Sequence, residues 1–180
     1  MKIKRKKVLL SYKNLSIFLL IVIFVLAAYI LFQKPLDQNL ATVVLPELSA
    51  AGYTEVALAV DVDTGLINLG GDCYQVSATV EQSQAQSIQD GIDKVVGPRP
   101  NIHDLFNDML KTLDIKILMI KIDELKDGAY HSSFILRQGN MILNLDARPS
   151  DAIAVAVRTD YIVPMYFNET LLKTMGEKVC

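Results

Sequence analysis

The 180-residue sequence contains no tryptophan, two histidines and two cysteines. Two cysteines are too few for the disulfide framework of a small secreted domain or for a four-cysteine zinc site, so Cys73 and Cys180 could join to each other, pair between chains or stay free. The sequence also lacks a G-x-x-x-x-G-K-[ST] loop, a G-x-S-x-G turn, an H-E-x-x-H motif and a G-x-G-x-x-G after a strand. These absences argue against nucleotide-dependent enzymes and serine hydrolases.

Acidic residues are missing from the first 34 positions, which hold seven of the 18 lysines and arginines. Residues 35–180 therefore carry the other 11 cations and all 20 carboxylates, a formal net charge of −9, although the whole chain is only −2. A field of that sign repels polyanions. Any nucleic acid would have to be bound by a local basic patch and not by the overall charge of the domain.

One long apolar run, at residues 15–32, is interrupted only by Ser16. An 18-residue helix is about 27 Å long, close to the roughly 30 Å of bilayer hydrocarbon. The run is apolar on every face and is bracketed by Lys13 and Lys34, which favours a transmembrane helix over a buried core helix. The absence of a clear A-x-A cleavage site favours a retained signal anchor over a cleaved signal peptide.

The sequence thus predicts a basic cytoplasmic segment at residues 1–14, a transmembrane helix at 15–32, a tether at 33–53 and one globular domain at 54–180. Proline and glycine in the third segment are typical of a tether, and the remaining length suits a single domain. The excess of cations before the apolar run predicts a single-pass membrane protein with a cytoplasmic N-terminus and an outward-facing domain.

Within the domain, three short strand patterns are followed by a helix pattern, and the same order recurs after a middle helix at residues 102–113. The first set of strands lies at 54–61, 66–69 and 73–80 with a helix at 82–92, and the second lies at 115–122, 129–136 and 141–145 with a helix at 150–158. This pattern predicts an α+β fold with a mainly antiparallel sheet and indicates a three-strand-plus-helix unit used twice. The segment Tyr161–Phe167 reads as a strand near an edge because it contains Pro164.

Two segments at predicted helix starts, residues 99–104 and 146–153, are dense in chemically active side chains. Arginines and free N–H groups at a helix N-terminus bind phosphate or carboxylate, and carboxylates hold Mg2+ or Mn2+. A metal and an arginine near one phosphate would support phosphodiester hydrolysis, with a histidine or an aspartate moving a proton. The candidate residues are Arg99, Arg148 and Ser150 for substrate binding, His103, Asp104, Asp146 and Asp151 for catalysis, and the same three aspartates for the metal.

The same residues also suit purely structural roles. Asn101 with Asp104 three residues on is a plausible N-cap pair. An ion pair from Arg99 to Asp146, or from Arg148 to Asp104, could join the two helix starts. The alternative is therefore a non-catalytic binding or oligomerisation module in which this cluster is a clasp or an anion site.

These two segments carry a resemblance to the bifunctional nuclease domain family. The family elements R-P-x-T-H-D-L and D-A-R-P-S-D-A-I-A-L-A-x-R correspond to Arg99–Leu105 and Asp146–Arg158, and the turn Lys126–Tyr130 is similar as well. The resemblance covers about residues 53–167 and implies an α+β fold with nuclease activity on RNA and DNA. Two positions depart from the pattern, because Gln84 replaces a glutamate of the family and Ile102 replaces a threonine.

Taken together, these patterns lead us to expect a membrane-anchored nuclease-like protein that hydrolyses phosphodiesters with the help of Mg2+ or Mn2+. Its expected partners are the membrane, single-stranded RNA or DNA, and further copies of the same chain. The expected site consists of the two arginine-aspartate segments, residues 99–104 and 146–153.

Overall fold

The computed structural model describes residues 17, 19–26 and 46–180. Residues 17 and 19–26 are helical, and their apolar side chains are exposed. Among the described residues, no helix combines the length and the hydropathy needed to cross a membrane. The predicted basic segment at 1–14 lies outside the described residues, and the predicted transmembrane helix and tether lie partly outside them.

Residues 46–180 fold into nine strands, four α-helices and one turn of 3-10 helix at Pro46–Leu48. The strands are β1 Tyr53–Glu55, β2 Ala57–Asp61, β3 Leu66–Gly71, β4 Tyr74–Thr79, β5 Ile115–Lys126, β6 Ala129–Gln138, β7 Met141–Ala147, β8 Met165–Asn168 and β9 Glu177–Lys178. The helices are α1 Gln82–Ile92, α2 Ile102–Thr112, α3 Pro149–Ala156 and α4 Glu169–Met175. The predicted α+β class is confirmed.

The strands form two sheets, and not the one sheet that was expected. The larger has the order β1-β8-β5-β6-β7 and the smaller the order β2-β3-β4-β9, and within residues 46–180 all neighbouring strands are antiparallel except β5 and β8. The segment 54–61 was predicted as a single strand, but it divides at Val56, whose N–H donates to the carbonyl of Met165 over 2.9 Å. The chain therefore passes from one sheet to the other at this residue.

The three-strand-plus-helix order does occur twice in the fold. Strands β2 to β4 lead into α1, and strands β5 to β7 lead into α3. Each helix buries an isoleucine in the core, Ile88 at 0% and Ile153 at 1% exposure. The two helices contact each other, so the ends of both units lie side by side in the core.

The edge position predicted for Tyr161–Phe167 is wrong. Strand β8 lies between β1 and β5 inside the larger sheet. Pro164 precedes the first paired residue, and its carbonyl accepts a hydrogen bond from Ile120 N over 3.1 Å. The N–H that proline lacks falls before the paired part of the strand, so an interior position costs no ladder hydrogen bond.

The C-terminal strand β9 returns the chain to the start of β4. Tyr74 pairs with Lys178, and the N–H of Val179 donates to the carbonyl of Cys73 over 2.9 Å. Cys73 and Cys180 form a disulfide with their Cα atoms 5.2 Å apart. Of the three alternatives left open by the sequence, the intrachain bridge is the one observed.

Candidate functional site

Helices α2 and α3 pack against each other and, with the middle of β6 and the end of β7, line an open cleft of about 420 Å³. Its walls are mainly apolar and include Ile102, Phe106, Phe134 and Leu145. Four of the seven predicted site residues contribute polar groups to it, namely His103, Asp146, Arg148 and Asp151. The two segments that lie far apart in sequence therefore meet at one cleft.

Arg148 and Asp151 form a two-pronged ion pair in the first turn of α3. The Nε of Arg148 lies 2.6 Å from Oδ2 of Asp151, and its Nη2 lies 3.1 Å from Oδ1. Burial raises the pKa of Asp151, but the hydrogen bonds and charge of Arg148 outweigh it and leave the pKa below its usual range. The Arg148 side chain is 76% exposed and lines the cleft, so part of its guanidinium is open to solvent there.

Gln84, on the facing helix α1, contacts the same carboxylate. Its Nε2 donates to Oδ1 of Asp151 over 3.1 Å. This is the position at which the family pattern has a glutamate. In this chain an amide donor replaces the carboxylate, so Asp151 gains a hydrogen bond where a second acid would repel it.

His103 lies in the first turn of α2 and is largely buried, with 12% of its side chain exposed. Its Nδ1 lies 2.9 Å from Oγ of Ser87, and its Nε2 lies 3.7 Å from Oδ1 of Asp151. Burial and then the positive charge of Arg158 lower the pKa of the imidazole, more than the neighbouring aspartates raise it. The lowered pKa favours the neutral form of the ring at neutral pH.

Asp104 does not line the cleft, although it adjoins His103 in the chain. It accepts a hydrogen bond from Arg158 Nε over 2.5 Å, and both side chains are buried, with 9% and 5% exposed. Its other oxygen accepts from the backbone N–H of Asn101 over 2.8 Å and so completes a capping box at the start of α2. Burial raises the pKa of Asp104, but Arg158 and the Asn101 N–H lower it further, to below its usual range.

The two ion pairs proposed to join the helix starts are both wrong. Arg148 pairs within its own helical turn, and the partner of Asp104 is Arg158, at the opposite end of α3. Asp146 does not meet Arg99 but lies 3.7 Å from Nδ1 of His131, with 80% of its side chain exposed. The reason is geometric, since Asp104 faces Arg158 just beyond the C-terminal end of α3, whereas its neighbour His103 faces Asp151 in the first turn.

The structure does not bring the remaining two predicted residues to the cleft. Arg99 lies exposed in the loop between α1 and α2. Ser150 lines a separate apolar cavity of about 200 Å³ between the sheets, with Arg148 and Pro149 beside it. A substrate-binding role for Arg99 or Ser150 stays a prediction.

The three predicted metal ligands do not converge. Asp104 is buried against Arg158, Asp151 accepts from Arg148 and Gln84, and Asp146 stands exposed near His131. Nowhere in the described part of the chain do three or more His, Cys, Asp or Glu side chains group closely enough to hold a metal ion. The three aspartates therefore do not form one three-carboxylate centre, and a Mg2+ or Mn2+ cofactor stays a prediction.

Two residues that sequence reasoning missed as site components, Ser87 and Arg158, support the cleft from behind. Arg158 Nη2 donates to Ser87 Oγ over 3.2 Å, and its Nη1 donates to the carbonyl of Ala154 over 2.6 Å. Arg158 closes the second resemblance element, which is a signal that could have found it. Ser87 has a weaker signal, because it precedes the core residue Ile88 on an ordinary helical face.

Comparisons with known proteins agree with the family resemblance seen in the sequence. The model of the family described as "Bifunctional nuclease domain" matches residues 71–179. The chain is 32% identical over 106 residues to an uncharacterized protein of Mycobacterium tuberculosis, an alignment that covers 59% of this chain and 61% of that protein. It is 33% identical over 85 residues to bifunctional nuclease 1 of Oryza sativa, which covers 46% of this chain and 25% of the rice protein.

The matched part thus spans less than two thirds of these relatives' own lengths. The family match nevertheless covers more than half of this chain and includes both arginine-aspartate segments. The resemblance found in the sequence is confirmed, and the chain belongs to the bifunctional nuclease domain family.

Proposed function

We propose that this domain is a nuclease-like phosphodiesterase that acts on single-stranded RNA or DNA in the cleft between α2 and α3. The observation that carries the proposal is the convergence of His103, Asp146, Arg148 and Asp151 on one open cleft of about 420 Å³. A guanidinium, an imidazole and an exposed carboxylate are the groups that bind a phosphate and assist attack on it.

Each group has a role that follows from its surroundings. Arg148 donates from Nε and Nη2 to Asp151, and its exposed guanidinium can donate from Nη1 to a phosphate at the N-terminus of α3. Asp146 is an exposed carboxylate that can take a proton from an attacking water. His103 faces the same cleft, either to move a proton or to donate a hydrogen bond to the phosphoryl group. Water then adds to phosphorus as one of its protons passes to Asp146, and the bond to the leaving oxygen breaks. The leaving oxygen takes up a proton from solvent water, and Asp146 returns its proton to the solvent.

The apolar walls favour a single strand over a duplex. Ile102, Phe106 and Phe134 line the cleft beside the polar groups. Unpaired bases can stack or pack on such side chains, whereas paired bases cannot reach them. The acidic domain offers little long-range attraction for a duplex, and Arg148 gives a local contact that suits a short, flexible segment.

Metal assistance remains a prediction from the resemblance. The described carboxylates do not assemble a three-ligand centre, so no step is assigned to a metal here. Arms of the cleavage experiment with Mg2+, Mn2+ and EDTA test that expectation directly.

The experiment incubates the full chain in detergent micelles with single-stranded RNA, single-stranded DNA and duplex DNA, with Mg2+, Mn2+ or EDTA. We expect cleavage of the single strands and a loss of about 100-fold in kcat/KM for Asp146→Asn and for His103→Ala. Asp108→Asn, an exposed change on the same helix as His103, serves as the matched control. Equal cleavage by all four proteins would place the chemistry elsewhere.

The second candidate function is a binding or oligomerisation module, and one specific observation favours it. Helix α2 exposes an apolar stripe of Ile102, Leu105 and Met109, with 68%, 60% and 43% exposure. A solvent-exposed apolar face of this kind is typical of an interaction site. Absence of cleavage by the folded chain, together with self-association lost in Leu105→Ser, would favour this module.

We further propose that the chain is anchored in a membrane with the domain outside. The exposed apolar side chains of helical residues 19–26 and the cations that precede them support anchoring. The Cys73–Cys180 disulfide supports an oxidising compartment. Added protease should digest the domain in intact cells, with a cytoplasmic protein as the protected control. Protection of the domain would contradict the outward orientation.

A further inference from the structure

We infer that Ser87 positions His103 so that its neutral ring carries the proton on Nε2 and faces the cleft as a hydrogen-bond donor, not as the general base. The inference for the reaction rests on the proposed function. The protonation pattern itself rests only on the hydrogen bonds around Ser87 and is measured without substrate.

The buried hydroxyl oxygen of Ser87 accepts hydrogen bonds from two groups that can act only as donors toward it. Arg158 Nη2 is one, at 3.2 Å, and a guanidinium has no acceptor. Asn101 Nδ2 is the other, at 3.3 Å. The orientation of this amide is set by the helix cap, because Oδ1 of Asn101 accepts the backbone N–H groups of His103 and Asp104 over 2.8 and 3.1 Å. Only the NH2 group is left to face Ser87.

A serine hydroxyl has two acceptor lone pairs and one proton. Arg158 and Asn101 occupy the lone pairs, so the proton of Ser87 must go to a different group. In the described residues the third partner of Oγ is Nδ1 of His103, 2.9 Å away. Nδ1 is therefore the acceptor, because a proton on it would aim a third donor at Ser87 and leave the serine proton without a partner in a buried setting.

With Nδ1 occupied as an acceptor, the neutral ring carries its proton on Nε2. That nitrogen lies 3.7 Å from Oδ1 of Asp151, on the side of the cleft. A carboxylate at this distance favours an N–H over a lone pair. The tautomer is thus fixed from both sides, by Ser87 behind the ring and by Asp151 in front of it.

This arrangement divides the work of the proposed cleavage. An N–H on Nε2 can stabilise the charge that grows on a phosphoryl oxygen, but it offers no lone pair to accept a proton from water. Proton acceptance falls to the exposed carboxylate of Asp146. Ser87 acts through His103 and is a positioning residue.

The direct test is a nitrogen-15 NMR spectrum of the imidazole rings in the full chain in detergent micelles at neutral pH. The sequence has only two histidines, so His131→Gln assigns both sets of signals. We expect the long-range nitrogen–carbon correlations of His103 to show a protonated Nε2 and an unprotonated Nδ1. The opposite pattern, or rapid averaging of the two nitrogens in the wild-type chain, overturns the inference.

Variants of the serine test its positioning role. Ser87→Ala should turn the single pattern into a mixture of both tautomers, whereas Ser83→Ala, an exposed serine on the same helix, should leave it unchanged. A single, unchanged tautomer in a folded Ser87→Ala protein would overturn the role of Ser87. Where the chain cleaves single-stranded DNA, we expect Ser87→Ala to lower kcat about tenfold with less than a twofold change in KM, and Ser87→Thr to restore it.

The two proposals fail in different ways. A chain that shows the protonated Nε2 but cleaves nothing removes the nuclease proposal and leaves the positioning of His103 standing. A chain that cleaves but shows a protonated Nδ1 removes the positioning of His103 by Ser87 and leaves the nuclease proposal standing.

Discussion

At the scale of single residues, the buried pair of Asp104 and Arg158 holds the rear of the cleft. The guanidinium of Arg158 donates hydrogen bonds to Asp104, Ala154 and Ser87. No buried side-chain nitrogen or oxygen in the described residues lacks a hydrogen-bond partner. A fully satisfied buried network of this kind is sensitive to the loss of any one member.

We therefore expect Asp104→Asn to lower the free energy of unfolding by about 3 kcal/mol, because it leaves the buried charge of Arg158 without a counter-ion. Urea unfolding followed by circular dichroism measures the change. The exposed variant Asp108→Asn on the same helix should stay within about 0.5 kcal/mol of the wild type. Equal stability of Asp104→Asn and the wild type would mean that the pair contributes nothing net.

The same pair determines a part of the acid sensitivity. The pKa of Asp104 is below its unfolded value in the folded state. Its stabilisation is therefore complete above the unfolded pKa near 3.8 and is lost as the pH falls through the lower, folded value. The stability difference between wild type and Asp104→Asn should shrink as the pH falls below about 4. A difference that stays constant down to pH 2 would contradict the sign of this shift.

At the scale of elements, the site depends on how closely α1 approaches the end of α3. Gly91 permits this close contact because it has no side chain. A Cβ built on it would lie 2.6 Å from Val157 Cγ2 and 2.8 Å from Arg158 Nη1. These contacts are shorter than van der Waals distances. A glycine here is required by packing, since it leaves room for Arg158, whose Nη2 reaches Ser87.

We expect Gly91→Ala to destabilise the fold by about 1–2 kcal/mol, because overpacking outweighs the better helix propensity of alanine. Displacement of Arg158 should also loosen its contact with Ser87 and broaden the His103 ring signals. Ser83→Ala on the exposed side of α1 is the control for helix propensity. A more stable Gly91→Ala protein would show that Val157 and Arg158 move aside without cost.

At the scale of the whole molecule, one covalent link joins the smaller sheet to the C-terminus. The disulfide connects residues 107 positions apart and lies where β9 pairs with β4. A cross-link over a loop of this length restricts the unfolded chain strongly, by about 4.7 kcal/mol for 100 residues in the chain-entropy model.

We accordingly expect Cys180→Ser to lower the free energy of unfolding by about 2–5 kcal/mol and to abolish the effect of reductant on stability. Urea titrations of both proteins with and without a thiol reductant provide the measurement. If reductant leaves the wild-type midpoint unchanged while free thiols are shown to have formed, the bridge is not a stabilising element.

The sequence alone determined the features that depend on local order. The alternation of apolar and polar residues, with turn residues between, predicted most strands of the two three-strand-plus-helix units. Helical spacing predicted α1 at residues 82–92, as observed. The capping pair of Asn101 and Asp104 was also readable, because a cap is formed by residues three positions apart. The two resemblance elements identified the family, since a long residue pattern is itself a property of the sequence.

Tertiary structure decided which of those residues meet. The sequence offered three aspartates for one metal, but packing buried Asp104 against Arg158, 54 positions away, and left only Asp146 and Asp151 at the cleft. Packing also gave Asp104 the partner Arg158 instead of the predicted Arg148. It divided one predicted strand between two sheets and brought Cys73 to Cys180. Contacts across such separations depend on the crossing of helices and the register of sheets, which local spacing does not specify.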